Sequence, residues 1–283
     1  MGKTIKILVP VDFSACSENA LIYAIQLADN IRAEVQVLHV PLFDSGVGEN
    51  PVAFTIAIQE QIQRSKEQLE NFIKRAIENV QAYLDRAPII QTSIELGKVE
   101  FTILNEVVSN EINFIMMGTQ GERSTVDKYM GTMASSIVKN AHCSVLVIPE
   151  NAKFKKKIEL GYATDFSEVA PFEVWKVLKL FKPFQSTIKC VHFDEKQTDN
   201  KEKIKAFKSY FAENAPELHL EFHNLPVTNT VKYLNYFIED QGIDMLVMYK
   251  PKRTFFASIF HKSYIQNMAK HVNIPLLVLK QDR

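Results

Sequence analysis

The residues whose types and spacing suggest chemistry are concentrated between positions 118 and 132. Gly118-Thr-Gln-Gly121 is followed by nine residues and then by Gly131-Thr132, which open a segment of helical pattern. Glycines let a backbone approach a ligand with no Cβ in the way. The free N–H groups and the positive dipole end of a helix N-terminus favour phosphate. The spacing therefore predicts a phosphate-binding loop, with ordinary loop glycines and a Thr helix cap as the alternative.

A second candidate is the segment Pro10-Val11-Asp12, which ends an apolar run typical of a buried strand. Ligands of open parallel sheets collect at the carboxyl ends of the strands, where the strand order reverses. A carboxylate at such a strand end can accept hydrogen bonds from a ligand. The alternative for Asp12 is a helix-capping role in the turn after the strand.

The sequence predicts no catalytic residues and no metal ligands. It contains no Walker A lysine, nucleophile elbow, HExxH helix or paired carboxylates. His39 and His192 are interpreted as packed, hydrogen-bonded strand histidines, because no second His or carboxylate lies at ligand spacing. Cys16, Cys143 and Cys190 lie far apart with no CxxC pair, which argues against a zinc site and a disulfide framework.

Strands alternate with helices along the chain. Ile5–Val9 and Val35–Val40 are short β-branched runs typical of buried strands, and Glu18–Ile31 between them carries apolar residues at helical spacing. The other elements predicted in the first half are helices over Ile56–Leu84, Glu100–Ser109 and Thr132–Asn140 and strands over Ile89–Ile94, Phe114–Met117 and Ser144–Ile148. This alternation predicts a parallel sheet covered by helices on both faces.

The chain also repeats itself. ILVPVDFS in the first half matches LGYATDFS in the second at an offset of 153 residues, and near the end of each half an offset of 131 pairs Gly118 with Tyr249. The strands predicted for the second half are Ile158–Tyr162, Thr187–Phe193, His219–Asn224, Met245–Met248 and Leu276–Leu279. We therefore predict two α/β domains, residues 1–150 and 151–283, fused in tandem by a duplication.

The stretch GTQGERSTVDKYMGT resembles the G-x2-G-x9-G-[ST] ATP-binding signature of the universal stress protein family. The opening ILVPVDFS and the closing HCSVLVIP resemble that family's first and last strands. The resemblance covers nearly all of both copies. It implies two tandem Rossmann-like domains of the adenine nucleotide α-hydrolase-like type, each a five-stranded parallel sheet with helices on both faces.

The resemblance also implies that the first domain binds ATP, with or without Mg²⁺. Asp12 would accept hydrogen bonds from ribose or base, Val40 would pack against adenine, and the glycine loop would hold the phosphates. The full set implied for ATP binding is Pro10, Val11, Asp12, Val40, Met117, Gly118, Gln120, Gly121, Gly131, Thr132, Met133 and Ala134. Gln120 and Glu122 stand where relatives often carry His or Arg, which leaves other adenine nucleotides open as ligands.

The second copy lacks the phosphate loop. At the offset of 131, the three loop glycines are replaced in turn by Tyr249, Lys252 and Lys262. Phe193 stands where the first copy has Val40, and its ring would intrude where adenine is expected. We therefore expect no nucleotide in the second domain.

The composition excludes several classes of function. Lys plus Arg equals Asp plus Glu at 33 each, so the chain lacks the basic excess of a general nucleic-acid binder. No stretch approaches the ~18 apolar residues of a membrane span, and the N-terminus is a poor signal peptide. The sequence predicts a cytoplasmic chain with neither nucleic-acid nor membrane partners.

Three functions remain open at this point. An intact loop beside a degenerate one favours a stress-response regulatory module, in which ATP changes the protein partners that the surface accepts and hydrolysis is slow or negligible. A nucleotide-independent scaffold or adaptor is the alternative. A slow ATPase, or an enzyme that transfers phosphoryl or adenylyl groups, is a third, but it needs general-base or metal-holding residues that are not found beyond Asp12.

The last strand of each copy is apolar and could be a sheet edge, which invites pairing. In the universal stress protein family such edges commonly meet across a dimer. The resemblance therefore implies that Val145–Ile148 and Leu276–Leu279 approach one another as an intramolecular pseudo-dimer. It also leaves a homodimer of the whole chain open.

Overall fold

A computed structural model describes residues 4–42, 51–119, 131–164, 175, 180–184, 186–194, 201–214, 220–226, 229–249 and 274–280. The chain divides into two units, with the boundary between Asn151 and Ala152. Positions 120–130 and 250–273, which include Gln120, Gly121, Glu122, Lys252 and Lys262, lie outside the described residues.

Strands and helices alternate through the N-terminal unit. Its elements are β1 (Lys6–Val11), α1 (Ala15–Ile31), β2 (Glu34–His39), α2 (Pro51–Val80), β3 (Ile90–Ile94), α3 (Val99–Ser109), β4 (Phe114–Gly118), α4 (Thr132–Asn140) and β5 (Ser144–Ile148). The strands pair in parallel in the order β3-β2-β1-β4-β5. The predicted α/β class with a parallel sheet is confirmed.

Burial explains why the apolar runs form strands. Ile7, Leu8 and Val9, consecutive residues of β1, are all fully buried, as expected for a parallel sheet whose two faces are both covered. Helix α1 packs against α2, and α3 packs against α4. Because crossovers between parallel strands are right-handed, the reversal of strand order beside β1 places these two helix pairs on opposite faces.

Two helices begin earlier than predicted, for local reasons. Helix α1 begins at Ala15 rather than Glu18, because the side chain of Ser14 accepts a hydrogen bond from the Ser17 N–H and caps the helix. Helix α2 begins at Pro51 rather than at Ile56. Proline suits the first helical turn, since its φ is already helical and the N–H it lacks would have no partner there.

The C-terminal unit repeats this organisation. Among the residues that the structure describes, its elements are β6 (Leu160–Ala163), β7 (Ile188–Asp194), α5 (Lys201–Asn214), β8 (Leu220–Pro226), α6 (Thr230–Asp240), β9 (Met245–Tyr249) and β10 (Leu276–Leu279). The strands pair in parallel in the order β8-β7-β6-β9-β10. Among the described residues of the chain, no helix combines the length and the apolar character needed to cross a membrane.

The two units also share their pairing register. Ile7 of β1 pairs with Phe114 of β4, and Leu160 of β6 pairs with Met245 of β9. These pairs are related by the offsets of 153 and 131 residues read from the sequence.

Polar contacts repeat at the same offsets. The Lys6 N–H donates to Asn113 Oδ1 at 2.9 Å, and the Glu159 N–H donates to Asp244 Oδ2 at 2.9 Å. In return, the Asn113 N–H donates to the Lys6 carbonyl oxygen at 3.0 Å, and the Asp244 N–H donates to the Glu159 carbonyl oxygen at 2.8 Å. The repetition of register and contacts supports the predicted duplication.

Candidate functional site

The candidate residues of β1, β2 and β4 lie at one level of the N-terminal sheet. Val11 pairs with His39 on β2, and the β1–β4 register, continued to the strand ends, places Val11 beside Gly118. Asp12 and Val40 immediately follow their strands. Since neighbouring strands lie about 4.8 Å apart, these strand ends adjoin one another. The strand order reverses between β1 and β4, so this edge has the position at which open α/β sheets bind ligands.

A tight turn holds Asp12 at the end of β1. Its Oδ1 accepts hydrogen bonds from the Ser14 N–H at 3.2 Å and the Ser14 hydroxyl at 2.6 Å. Ser14 in turn accepts from the Ser17 N–H at 3.2 Å, so Ser14, and not Asp12, is the cap of α1. Phe13 between them has a left-handed φ of 66°. The capping alternative for Asp12 thus becomes an indirect role, in which its carboxylate orients the capping serine.

His39 packs beneath this turn as a buried neutral side chain. Its Nδ1 lies 2.9 Å from the Val11 carbonyl oxygen, which can only accept, so Nδ1 carries the proton. The Phe13 ring lies over it, with ring centroids 4.3 Å apart. Burial lowers the pKa of His39 below its ordinary value of 6.5, and the Val11 hydrogen bond and the Asp12 charge offset this only in part. The structure therefore agrees with a packed strand histidine.

Glycine is required at position 118 because the first turn of α1 packs against it. A Cβ on this residue would lie 2.7 Å from the Cys16 Sγ and 2.9 Å from the Cys16 carbonyl oxygen. The first turn of α1 therefore approaches the end of β4 so closely that only glycine fits. The loop pattern predicts that this glycine makes room for a ligand, whereas the described contacts account for it by the close approach of helix and strand.

The residues that flank positions 120–130 are joined by a short hydrogen bond. The Gly131 N–H donates to the Thr119 carbonyl oxygen at 2.6 Å. The Thr119 N–H donates to the Ile148 carbonyl oxygen at 3.1 Å, and the Oγ1 of Thr119 lies 3.5 Å from the Cys16 Sγ. Thr119 thus ties the start of α4 to the ends of β4 and β5 and to the first turn of α1.

The first turn of α4 supplies hydrogen-bond donors. Gly131 is the N-cap and has no side chain with which to cap the helix. The N–H groups of Thr132, Met133 and Ala134 have no carbonyl partner within the helix, because none precedes them at the required spacing. Thr132 and Met133 have exposed side chains, whereas Ala134 is buried. This turn can therefore donate hydrogen bonds to an anion.

The structure brings most of the predicted residues to the same edge of the sheet. Val11, Val40 and Met117 are buried at the strand ends, and Pro10 is half-buried. Thr119 follows Gly118, and its carbonyl oxygen accepts a hydrogen bond from the Gly131 N–H, the N-cap residue of α4. Cys16, Ser14 and Thr119 were not predicted to contribute to the site. A serine just before a helical pattern is a known capping signal and could have identified Ser14, but no local pattern marks the other two.

The C-terminal unit keeps the histidine contact of this site. His192 Nδ1 lies 2.7 Å from the Thr164 carbonyl oxygen, which repeats the His39 contact. Phe193 is buried in a hydrophobic cluster with Leu234 and Phe237. This position is filled by core packing. Asp165 and residues 250–273 lie outside the described residues.

The lowered pKa of His39 predicts a pH-dependent stability. Because the folded-state pKa lies below the unfolded value, the contribution of neutral His39 is complete above the unfolded pKa of 6.5 and is lost as the pH falls towards the folded pKa. Chemical denaturation of the wild type between pH 7.5 and pH 5.0 should show this loss. His39→Asn, which keeps a donor near the Val11 carbonyl without titrating, should lose less stability over that range. Equal pH slopes in the two proteins would contradict this assignment.

The close approach at Gly118 predicts a steric penalty for any side chain. Gly118→Ala should lower the free energy of unfolding by about 1–3 kcal/mol, the range for overpacked sites. Cys16→Ala in the same chain should relieve only part of the loss, since the Cys16 backbone also lies within contact of the new methyl group. Urea denaturation of the two single variants and the double variant measures both effects. An unchanged midpoint for Gly118→Ala would show that the helix can move away freely.

Comparison with known proteins places the chain among its relatives. The universal stress protein family model matches residues 4–149. A universal stress protein of Methanocaldococcus jannaschii is 27% identical over 148 residues, which are 52% of this chain and 84% of that protein. A universal stress protein of Synechocystis is 19% identical over 151 residues, which are 50% of this chain and 96% of that protein.

Similarity in fold to a solved structure extends over nearly the full length of this chain. The crystal structure of a universal stress protein from Archaeoglobus fulgidus is similar to this chain with a TM-score of 0.72 at 14% identity, over 99% of each chain. At this identity the likeness shows a common fold. The match of the family model to half of the chain shows more, and this chain belongs to the universal stress protein family.

Proposed function

We propose that the N-terminal unit binds an adenine nucleotide, with ATP as the expected ligand, and that the chain acts as a stress-response regulatory module. The observation that carries the proposal is the hydrogen bond from Gly131 to Thr119. It ties the donor-rich first turn of α4 to the strand end that adjoins Asp12. One side of a bound nucleotide would meet backbone donors, and the other would meet a carboxylate.

The nucleoside half of the proposed site combines an apolar floor with an acceptor. Val11, Val40 and Met117 are buried apolar side chains at the strand ends against which a base would lie. The Asp12 carboxylate can accept from ribose hydroxyls, and the Ser14 hydrogen bonds fix its direction. A pre-oriented acceptor loses less conformational entropy when the ligand binds.

In the phosphate half of the proposed site, the donors for the phosphates come from α4. Its nine residues are enough for a helix dipole, and its free N–H groups point along the helix axis from the N-terminal end. The predicted loop residues Gln120 and Gly121, together with the basic residues Arg123 and Lys128 between the glycines, would complete this half. A Mg²⁺ ion bound with ATP would lower the charge that these groups must balance.

The chemistry of these residues favours binding over turnover. The predicted site contains one carboxylate, Asp12, and its Oδ1 already accepts two hydrogen bonds from Ser14. Such a group suits recognition of a hydroxyl better than removal of a proton from water. Hydrolysis by this site would be slow, so the nucleotide would act by shifting conformational populations.

The proposal assigns different roles to residues 1–150 and 151–283. The buried Phe193 supports a C-terminal domain without a nucleotide. That domain would serve through its protein surfaces. The pairing of the two copies, and of two whole chains, stays a prediction.

Calorimetric titration of ATP with Mg²⁺ tests the proposed site. Gly131 has a φ of −59°, which other residues adopt freely, so substitution there need not strain the backbone. Gly131→Asp and Gly131→Asn both provide good helix caps of the same shape, but only the aspartate places a charge against a phosphate. We expect one ATP per chain in the wild type, and binding at least roughly tenfold weaker in Gly131→Asp than in Gly131→Asn, as for a like-charge contact of about 1.4 kcal/mol.

Three other results would each contradict one part of this proposal. Absence of binding at millimolar ATP would favour the nucleotide-independent adaptor. Equal affinity in the two variants would place the phosphates away from α4. Two nucleotides per chain would contradict the expectation for the C-terminal domain.

A further inference from the structure

A carboxylate on α3 binds the helix that supplies the proposed phosphate donors. Glu100 Oε1 accepts hydrogen bonds from the Ser136 hydroxyl at 2.5 Å and from the Asn140 amide at 2.8 Å. Ser136 and Asn140 lie one turn apart on the same face of α4, and the Asn140 amide lies 3.3 Å from the Ser136 hydroxyl oxygen. One oxygen atom therefore fixes two successive turns of α4.

The charge state of Glu100 matches this role. The hydrogen bonds from Ser136 and then from Asn140 lower the pKa of Glu100, so it is ionised near neutral pH. Glu100 also lies in the first turn of α3, where the helix dipole favours a negative charge. Hydrogen bonds to an ionised acceptor are shorter and stronger than those between neutral groups.

The duplicated copy supplies an internal comparison. Helix α6 is the counterpart of α3 at the offset of 131, and it carries Val231 where α3 carries Glu100. Asn267 and His271 replace the serine and the asparagine at the same offset. The copy that lost the loop glycines has therefore also lost all three partners of this contact.

Other polar contacts were kept in both copies. The backbone hydrogen bonds to Asn113 and Asp244 recur, and so do the histidine contacts of His39 and His192. Contacts that the fold itself needs have survived in both units. The Glu100 contact instead accompanies the intact phosphate loop.

We propose that Glu100, through Ser136 and Asn140, is a positioning residue that sets the direction of the first turn of α4 towards the phosphates of the bound nucleotide. This inference rests on the proposed function. Ser136 lies four residues after Thr132, about 6 Å along the axis at 1.5 Å per residue, so Glu100 acts on the helix and not on the ligand.

The chain offers matched variants for a test. Glu100→Ala removes both hydrogen bonds, whereas Glu100→Gln can keep them, because both donors use one oxygen that an amide carbonyl can replace. Glu106→Ala is the control. Glu106 lies on the same helix and also accepts two hydrogen bonds, at 2.7 Å from Gln36 and 2.6 Å from Asn110, but neither partner lies on α4.

The experiment is the dissociation constant of Mg-ATP measured on the full chain, at a temperature where circular dichroism shows every variant folded. We expect Glu100→Ala to bind roughly five- to tenfold more weakly, the scale of one net hydrogen bond. Glu100→Gln and Glu106→Ala should stay within about twofold of the wild type, since neither loses the link to α4. Ser136→Ala, which removes one donor from α4, should also weaken binding and serves if Glu100→Ala does not fold.

Three outcomes would overturn this inference. Wild-type affinity in both Glu100→Ala and Ser136→Ala, or in Ser136→Ala alone if Glu100→Ala does not fold, would overturn the positioning role and leave the nucleotide site intact. An equal loss in Glu106→Ala would also overturn it, by showing a general weakening of α3. A wild-type chain that binds no ATP would overturn the proposed function together with this inference.

Discussion

The site depends on the contact between the first turn of α1 and the end of β4. No side chain fits at Gly118, because the Cys16 backbone and sulfur occupy the space. This approach fixes the start of α1, and with it the turn from Asp12 to Ser14 that leads into the helix. It also brings Cys16 against Thr119, whose carbonyl holds the N-cap of α4. Two segments separated by more than one hundred residues are thereby held at one edge of the sheet.

The internal duplication separates what the fold requires from what a ligand would require. Strand order, register and the histidine contact recur in both units. The loop glycines and the three residues that make the Glu100 contact are present in the sequence of the first copy alone. A parallel sheet of this kind can therefore form without a phosphate loop. The differences between the copies are consistent with the proposal that the nucleotide binds at the N-terminal edge.

Much of the fold could be predicted from the sequence, because its signals are local. Apolar runs such as Ile7–Val9 mark buried strands, and the bounds of α4 and β5 match the predicted Thr132–Asn140 and Ser144–Ile148. The starts of α1 and α2 were harder to predict. Ser14 caps α1 and Pro51 begins α2; both residue types are common in loops, and they suit a helix start only because of the hydrogen-bond geometry of a first turn.

The candidate site was less predictable for a different reason. Asp12, Gly131 and Thr132 could be identified by residue type and spacing. The partners of Gly118 and Glu100 could not, since Cys16, Ser136 and Asn140 lie far from them in the chain. Contacts of this kind follow from the packing of helices on a sheet and have no local pattern.

Amide hydrogen exchange of the full chain, with and without Mg-ATP, tests the central claim most directly. If the nucleotide lies between the Asp12 turn and α4, exchange should slow at Ser14 and at Thr132–Ala134 when ATP is added. The equivalent strand ends of the C-terminal unit, at Thr164 and His192, should exchange unchanged. Slower exchange in the C-terminal unit alone would contradict the account, and so would unchanged exchange in the first turn of α4.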